Sequence, residues 1–378
     1  MPDKPMVSGK PRLLVALLIA ALLVAACGQG GNTKTDQADR LLARAHADTS
    51  DGLRIDGELV ADRALYEAAE GHTVALYSAA GKEAEDLTLA RFTQETGIGV
   101  ELTRLPNNKL AERALSESGA GKLGADAIRL TDPRTAQQFA DAGIYVPYRT
   151  PFHDGLAARG ALRSDAWFPG YYFINALGYN SAIITEDPPT GWADLLDPRH
   201  EGRLGIVAIT TGGTLNALTR FQLETFGPEF LAAQARQQPR VFDSTSTEVD
   251  ALARGEITIA TLSVNNAFGA ETAGAPIRLV IPEEGVSGSE GPVGLTPAGV
   301  ENPAAQVFAN WMLSASGQRF VGSQGFVPVR TDIGEVRTGD YALPAADSPR
   351  FHLMTEDDFT RYARDDEALW KQTFDVIG

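Results

Sequence analysis

The sequence predicts an α/β protein in which short buried strands alternate with helices in two successive blocks. Two observations predict this fold class. Apolar runs of strand length end in turns rich in Ser, Thr, Asn or Gly, and residues at helical spacing follow them. The same alternation resumes after an aromatic-rich stretch, residues 167–173. Strands that alternate with helices favour a parallel sheet with helices on both faces.

Three strands and three helices are predicted in the first block, residues 73–142. A helix is expected over 82–96 because Ala84, Leu89 and Phe92 have helical spacing, and Gly97 is expected as its C-cap. The predicted order is strand 73–77, helix 82–96, strand 98–105, helix 108–116, strand 125–130 and helix 133–142.

The second block repeats this pattern. Thr245 and Glu248 have the spacing of a capping box before a helix over 249–254, which Gly255 ends. The predicted elements are strands 176–184, 204–209 and 257–262, helices 214–226 and 249–254, and a last helix over 357–374. No repeat of 20–50 residues is present, which argues against a solenoid.

The N-terminus has the pattern of an export signal. Basic residues precede the apolar run 13–26, which is shorter than the ~20 residues that a spanning helix needs. Residues 24–28, Val-Ala-Ala-Cys-Gly, resemble a bacterial lipobox. Residues 1–26 are therefore predicted as a signal peptide and Cys27, the only cysteine, as the lipidated N-terminus. The alternative is an ordinary signal that contains a cysteine.

Composition bounds the rest of the chain. Residues 27–72 are expected as the lipidated N-terminus, a flexible tether and a lead-in, since 29–51 is rich in small and polar residues. The remaining roughly 325 residues favour two domains. The formal charge of −16 becomes about −18 once the signal is removed, and such a surface repels nucleic acid.

Polar turns at the predicted strand-to-helix junctions are the candidate binding elements. In open α/β sheets, ligands bind beyond the carboxyl ends of strands, where helix N-termini offer N–H groups. The alternative is that each turn only caps its helix. The candidate residues are Ser78, Thr131, Thr211, Gly212, Gly213, Ser244, Thr245, Asn265 and Asn266.

Catalytic motifs are not found. The five histidines lack metal-ligand spacing, and no phosphate-binding loop motif is present. Residues 285–289, Gly-Val-Ser-Gly-Ser, lack the last glycine of a nucleophile elbow. The sequence therefore predicts a binding protein rather than an enzyme, without a metal or a cofactor.

Several segments resemble family 1 extracellular solute-binding proteins, in their ferric-type branch. Residues 89–98 resemble the family's F-x-x-x-T-G-I-x-V stretch, and 125–127 resemble its A-D-V strand. Residues 197–205 resemble the family's D-P-K-W-K-G-R-I-G segment, 310–318 resemble its closing helix, and 327–330 resemble its Y-P-V-R segment. The resemblance runs in order from about residue 73 to residue 378.

The resemblance implies a two-lobed periplasmic-binding-protein fold of type 2, with parallel-rich sheets, flanking helices and a strand hinge. One lobe is expected from 73–174 plus 283–340 and the other from 175–282 plus 341–378. The expected hinge crossovers are 167–173 and the segment 281–284. Such a protein closes on a solute and delivers it to the membrane permease of an ABC importer.

The departures from the family concern the metal. Ferric binders have a His after the first strand, an acid after the A-D-V strand and paired tyrosines after two asparagines. Here residues 78–80 contain no His, Thr131 stands near the position of the acid, and Ala267 and Phe268 replace the tyrosines. Thr211–Gly213 and Ser244–Ser246 resemble the turns that hold the accompanying anion.

The sequence therefore predicts a monomeric solute-binding lipoprotein on the extracytoplasmic side of a membrane, with a small anionic or polar solute. One alternative is an iron binder of the same family, for example through a chelator. Another is a secreted enzyme, or a sensory or structural lipoprotein, on the same fold.

Overall fold

A computed structural model describes residues 46–374 of the chain. The predicted signal peptide and Cys27 lie outside the described residues. Among the residues described, no helix is long and apolar enough to cross a membrane.

The lead-in before the first block is folded. Strands β1 (Ala47–Asp48), β2 (Leu53–Ile55) and β3 (Glu58–Ala61) form an antiparallel sheet, and helix α1 (Arg63–Ala69) follows. Leu53, Ile55 and Val60 are fully buried, so this sheet belongs to the core. The last residues of the expected tether, 29–51, therefore belong to this sheet, because Ala47 and Asp48 pair with β2.

The first half of the main sheet follows the predicted alternation. Strand β4 lies between β5 and β6 and is parallel to both. Helix α2 has the predicted bounds, and Gly97 ends it with φ of 75°, a conformation that suits glycine. The elements are β4 (Thr73–Ser78), α2 (Lys82–Thr96), β5 (Gly99–Arg104), α3 (Asn107–Gly119), β6 (Ala127–Arg129), α4 (Pro133–Asp141) and α5 (His153–Ala158).

A 13-residue strand, β7, leads into the second half, where β8 lies between β9 and β10 and is parallel to both. Short 3₁₀ turns occupy Trp192–Leu196, Pro198–His200 and Ile209–Thr211. The elements are β7 (Phe168–Asn180), β8 (Leu204–Val207), α6 (Gly213–Phe226), α7 (Pro228–Arg236), β9 (Arg240–Phe242), α8 (Thr245–Ala253), β10 (Ile259–Ser263), α9 (Val264–Thr272) and β11 (Ile277–Val280).

The chain then crosses back through a second long strand, β12, and its last helix packs on the second half. Helix α13 contacts α6 and α7, and also α4 of the first half. The elements are β12 (Val286–Leu295), α10 (Pro297–Glu301), α11 (Pro303–Leu313), α12 (Ala315–Ser323), β13 (Arg337–Thr338), β14 (Tyr341–Ala342), β15 (Phe351–Met354) and α13 (Glu356–Phe374).

The two long strands join the halves into one mixed sheet. The strand order is β5-β4-β6-β12-β7-β10-β8-β9, with β11 also on β7 and β15 also on β12. Strands β7 and β12 pair antiparallel from Phe168 and Val293 to Asn175 and Ser287. Helices flank this sheet, which confirms the α/β fold class.

The register directs the strand ends of both halves to one place. Strand β6 runs along β12 and ends where Arg129 faces Val293, whereas β10 runs along β7 and ends where Ser263 faces Asn175. Both strands therefore point towards the middle of the β7–β12 pair. Polar turns that are far apart in sequence meet there.

Three local expectations differ from the structure. The strand expected at 176–184 is part of β7, which ends at Asn180 and includes most of the aromatic stretch. The second crossing strand begins at Val286, after the expected segment 281–284. The predicted capping box is wrong: Ser244 is the N-cap of α8, and its Oγ accepts from the Thr247 N–H at 3.2 Å.

Candidate functional site

The predicted polar turns form two facing walls. We define the first wall as the turns after β4 and β6, residues 78–81 and 131–132. The second wall consists of the turns after β8, β9 and β10, residues 210–214, 244–246 and 265–266. The floor between them is the middle of the crossing strands, residues 171–175 and 287–292.

The two walls come close to each other. A Cβ atom placed on Gly213 of the second wall would lie 3.8 Å from the Thr131 carbonyl oxygen of the first wall. Gly325, which follows α12, lies so close to Asn265 that an added Cβ would be 2.8 Å from the Asn265 Cα. Its φ of 92° also favours glycine.

A chain of neutral side chains runs through the second wall. The Ser263 Oγ donates to the Asn265 Oδ1 at 2.7 Å, and the Asn265 Nδ2 donates to the Asn266 Oδ1 at 3.0 Å. The Asn266 Nδ2 then donates to the Thr245 Oγ1 at 2.7 Å. The structure thus brings together Thr245, Asn265 and Asn266, which are up to 21 residues apart in sequence.

The turn after β8 differs in part from the expectation. The Thr211 N–H donates to the Ala208 carbonyl at 2.9 Å and the Thr211 Oγ1 to the Asp243 carbonyl at 3.3 Å. The 3₁₀ turn therefore uses the Thr211 N–H as a donor, and binding of a solute by Thr211 stays a prediction. Gly212 is the N-cap of α6, with open space around its Cα, and Gly213 is buried beside Phe359.

Local hydrogen bonds occupy the other predicted donors. The Ser78 Oγ accepts from the Ala80 N–H at 3.1 Å, and the Thr131 N–H donates to the Asn107 Oδ1 at 3.0 Å. The Ser244 Oγ caps α8. Each of these groups has at least one structural role, so binding by Ser78, Thr131 or Ser244 stays a prediction.

A buried ion pair lies beneath the first wall, and the sequence analysis did not predict it. Arg129, the last residue of β6, forms a salt bridge through its Nη1 with the Oε2 of Glu85, in the first turns of α2. Arg129 is 2% exposed and Glu85 is fully buried. Burial by itself lowers the pKa of a guanidinium, but Glu85 and Tyr171 hold the Arg129 pKa above its usual value. The only sequence signal was an arginine near the end of an apolar strand.

The floor carries a second buried charge. Glu290 on β12 is fully buried, and its closest cation is Arg163, with the Nε 3.5 Å from the Glu290 Oε1. Burial raises the pKa of Glu290 to about 7; Arg163 opposes this shift and Glu356 adds to it. Glu290 therefore titrates near neutral pH.

Two small cavities lie away from the walls. One is lined by Tyr148, Trp167 and Leu295, and the other by Gln222, Gln234 and Trp370. Each has a volume of about 10 Å³, which is enough for a single water molecule. Neither is large enough for an organic solute.

The sequence predicts that the metal ligands of ferric binders are missing from this chain. Within residues 46–374, no group of three or more His, Cys, Asp or Glu side chains is placed to hold a metal ion. Ala267 is buried in α9, and the Phe268 ring lies beside Gly339.

Polar turns at the strand ends of a mixed α/β sheet are typical of proteins that bind a small solute. The chain belongs to the family of bacterial extracellular solute-binding proteins, whose model matches residues 88–345. The family resemblance drawn from the sequence is thereby confirmed.

Two relatives align with part of the chain. An uncharacterised protein of Haemophilus influenzae is 28% identical over 249 residues, which cover 61% of this chain and 68% of that protein. Iron uptake protein A1 of Synechocystis is 24% identical over 199 residues, 50% of this chain and 54% of that protein.

Solved structures share the fold. Iron-bound HitA from Pseudomonas aeruginosa has a TM-score of 0.58 at 22% identity, over 80% of this chain and 99% of that one. AfuA from Actinobacillus pleuropneumoniae, with fructose-6-phosphate bound, has a TM-score of 0.57 at 19% identity, over 80% and 97%. At these identities the likeness shows the fold alone.

Proposed function

We propose that this solute-binding protein captures a small anionic or polar organic solute between its two walls and delivers it to the permease of an ABC importer. The observation that carries the proposal is the convergence of the strand ends of both halves on the β7–β12 pair. Helix N-termini and neutral side chains lie at these strand ends, and such groups favour negative charge.

Capture needs the walls to move. We propose lobes of 73–174 plus 283–340 and 175–282 plus 341–378, with β7 and β12 as the hinge. The contacts Gly213–Thr131 and Gly325–Asn265 support a closed arrangement. Because a solute adds contacts to both walls only when they are closed, it favours closure. Small-angle scattering should show a modest compaction when solute is added, whereas an unchanged radius of gyration argues against the hinge.

The binding proposal is tested by native mass spectrometry of protein purified without denaturation. A retained small molecule, released on unfolding and chemically unchanged after incubation, is the expected result. Adding the same compound to stripped protein should raise Tm. Turnover of that compound favours the secreted enzyme instead, and a stripped protein that the compound does not stabilise contradicts solute capture.

Iron is the second candidate, because two of the similar proteins are named for iron. The side chains at 267 and 268 cannot supply the tyrosinate oxygens of ferric binders. We expect no visible charge-transfer band when ferric citrate is added to the purified protein. A band that disappears when Tyr77 or Tyr179 is changed to Phe assigns the protein to iron.

Anchoring is proposed through a diacylglycerol on Cys27, with the protein on the extracytoplasmic side of the membrane. Several acyl chains give stable attachment, whereas a single chain does not. Cys27→Ser should abolish metabolic labelling with palmitate and leave the far-UV circular dichroism unchanged. Labelling that survives this substitution rules the anchor out.

A further inference from the structure

The proposed function does not use the buried pair of Glu85 and Arg129. An ion pair this deeply buried costs desolvation energy and is weak evidence for a stabilising role. The Arg129 guanidinium lies over the Tyr171 ring at 5.1 Å from its centroid, so its orientation is fixed. A charge held rigidly at a strand end next to the first wall is suited to recognition.

The polar atoms of this pair and of the floor are not all satisfied by hydrogen bonds. Among the described residues, the Arg129 Nε, the Glu85 Oε1 and the Ser289 Oγ are buried and accept or donate no hydrogen bond. Native proteins satisfy about nine in ten buried polar atoms, so a donor and an acceptor left open on one ion pair need an explanation. Ser289 lies on the floor, opposite Phe173, and the Phe173 ring contacts Tyr171.

A second buried pair on the same helix shows the contrast. Glu95, near the end of α2, forms a salt bridge with Arg91. Its two carboxylate oxygens accept from the Trp311 Nε1 at 2.6 Å and the Ser316 Oγ at 2.7 Å. Glu95 is therefore fully engaged within the fold, whereas Glu85 keeps one oxygen open.

The open pair is connected to the second wall. Thr88 lies one turn after Glu85 on α2, and its Oγ1 accepts from the Gln324 Nε2 at 3.4 Å. The next residue, Gly325, lies against Asn265 of the second wall. The charged pair and the neutral network are thus separated by one short segment.

We propose that Arg129 binds the oxyanion of the solute while the free oxygen of Glu85 accepts a hydrogen bond from a hydroxyl group of the same molecule. This rests on the proposed solute-binding function and narrows it to hydroxylated organic anions, either sugar phosphates or polyhydroxy carboxylates. Guanidinium–oxyanion bonds are among the strong charge-assisted ones. The Ser289 hydroxyl adds a neutral donor from the floor.

Isothermal titration calorimetry with four probes tests the class. Glucose 6-phosphate and gluconate carry both an oxyanion and hydroxyl groups, methyl phosphate carries only the oxyanion, and glucose carries only hydroxyl groups. We expect the tightest binding for glucose 6-phosphate or gluconate, and the better of the two tells phosphate from carboxylate. Glucose that binds as tightly as both overturns the proposal but leaves solute capture standing. Failure of both hydroxylated anions to bind also overturns it.

Variants then assign the residues. Arg129→Gln should weaken binding of the better hydroxylated anion by at least about 100-fold. Glu85→Gln should weaken it by about tenfold and change methyl phosphate by less than about twofold. Glu95→Gln, the matched control in the second ion pair, should leave both affinities unchanged.

The double variant Glu85→Gln/Arg129→Gln is the control for misfolding of the single variants, because it leaves no uncompensated buried charge. It should give native far-UV circular dichroism and fail to bind the anion. Wild-type affinity in this folded double variant overturns the assignment of Arg129, as does an effect of Glu95→Gln equal to that of Glu85→Gln.

Discussion

The first and second walls face the same floor but differ in chemistry. Beneath the first wall lies a fully buried ion pair, Glu85 and Arg129, whereas the second wall is a neutral network that includes Asn265 and Asn266. Electrostatic interactions are strong in a low-dielectric site, but burying a charge costs a large desolvation free energy. Burying a neutral amide costs little once it is hydrogen-bonded. Under the proposal above, the region beneath the first wall supplies the charge that recognises the solute, and the second wall supplies neutral hydrogen-bonding groups.

Removal of the Glu85 carboxylate beneath the first wall should have the largest effect on stability. Glu85→Ala leaves Arg129 buried without a counter-charge, so we expect a loss of about 3–5 kcal/mol in the free energy of unfolding. Urea denaturation at pH 7 measures this loss. A cost of about 1 kcal/mol or less would mean that the first wall is as tolerant as the second.

The floor should respond to pH through Glu290. Its pKa is about 7 in the folded protein against an ordinary 4.5, so the folded state holds the proton more tightly. The contribution of Glu290 to stability therefore falls as pH rises from about 4.5 to 7 and is constant above pH 7.

Glu290→Gln should remove this loss, which makes the variant more stable by about 3 kcal/mol at pH 8 and equal near pH 4.5. Urea denaturation from pH 5 to 8 measures it. Parallel stability curves for the two proteins contradict the burial argument.

The second wall should affect binding more than stability. Gly212 has an extended backbone, with φ of 169°, and nothing lies within 4 Å of an added Cβ. The Gly212→Val variant should therefore stay folded. Its affinity for the co-purifying solute should fall more than tenfold, or by about 1.4 kcal/mol, because the valine side chain blocks close approach to the backbone.

Gly119→Val is the matched control, because Gly119 also has open space but lies at the C-terminal end of α3, away from the strand ends. Calorimetry of both variants compares them. Unchanged affinity in folded Gly212→Val places the solute elsewhere.

The smallest effect is expected within the neutral network. Asn266→Ala removes the donor to Thr245 in a partly exposed region, so the free energy of unfolding should fall by about 1 kcal/mol. Thermal denaturation measures the change. A loss as large as that of Glu85→Ala would remove the distinction between the walls.

Local patterns in the sequence were sufficient for most elements. Helix α2 has the predicted bounds, and α6 begins one residue before the prediction. Helical spacing and terminal glycines are local signals, and they survive without knowledge of the partner element. The two wall turns with glycine or asparagine were found for the same reason, although which predicted residues touch solute stays a prediction.

Strand β7 shows the first limit of such patterns. Nearly every residue from Phe168 to Asn180 is buried, so it has no alternation between an apolar and a polar face. The sequence therefore indicated an aromatic joint and a separate strand instead of one crossing strand. Its continuity depends on pairing with β12, which lies more than 100 residues later.

The sequence by itself determined the α/β alternation, the polar turns and the family resemblance. Only the tertiary structure decided that Glu85 and Arg129, 44 residues apart, form a pair beneath those turns. It also assigned the cap of α8 to Ser244 and left Glu248 buried, where burial holds its pKa well above the ordinary value. Periodicity and capping are encoded within a few residues, whereas the environment of a charge depends on which strands and helices pack around it.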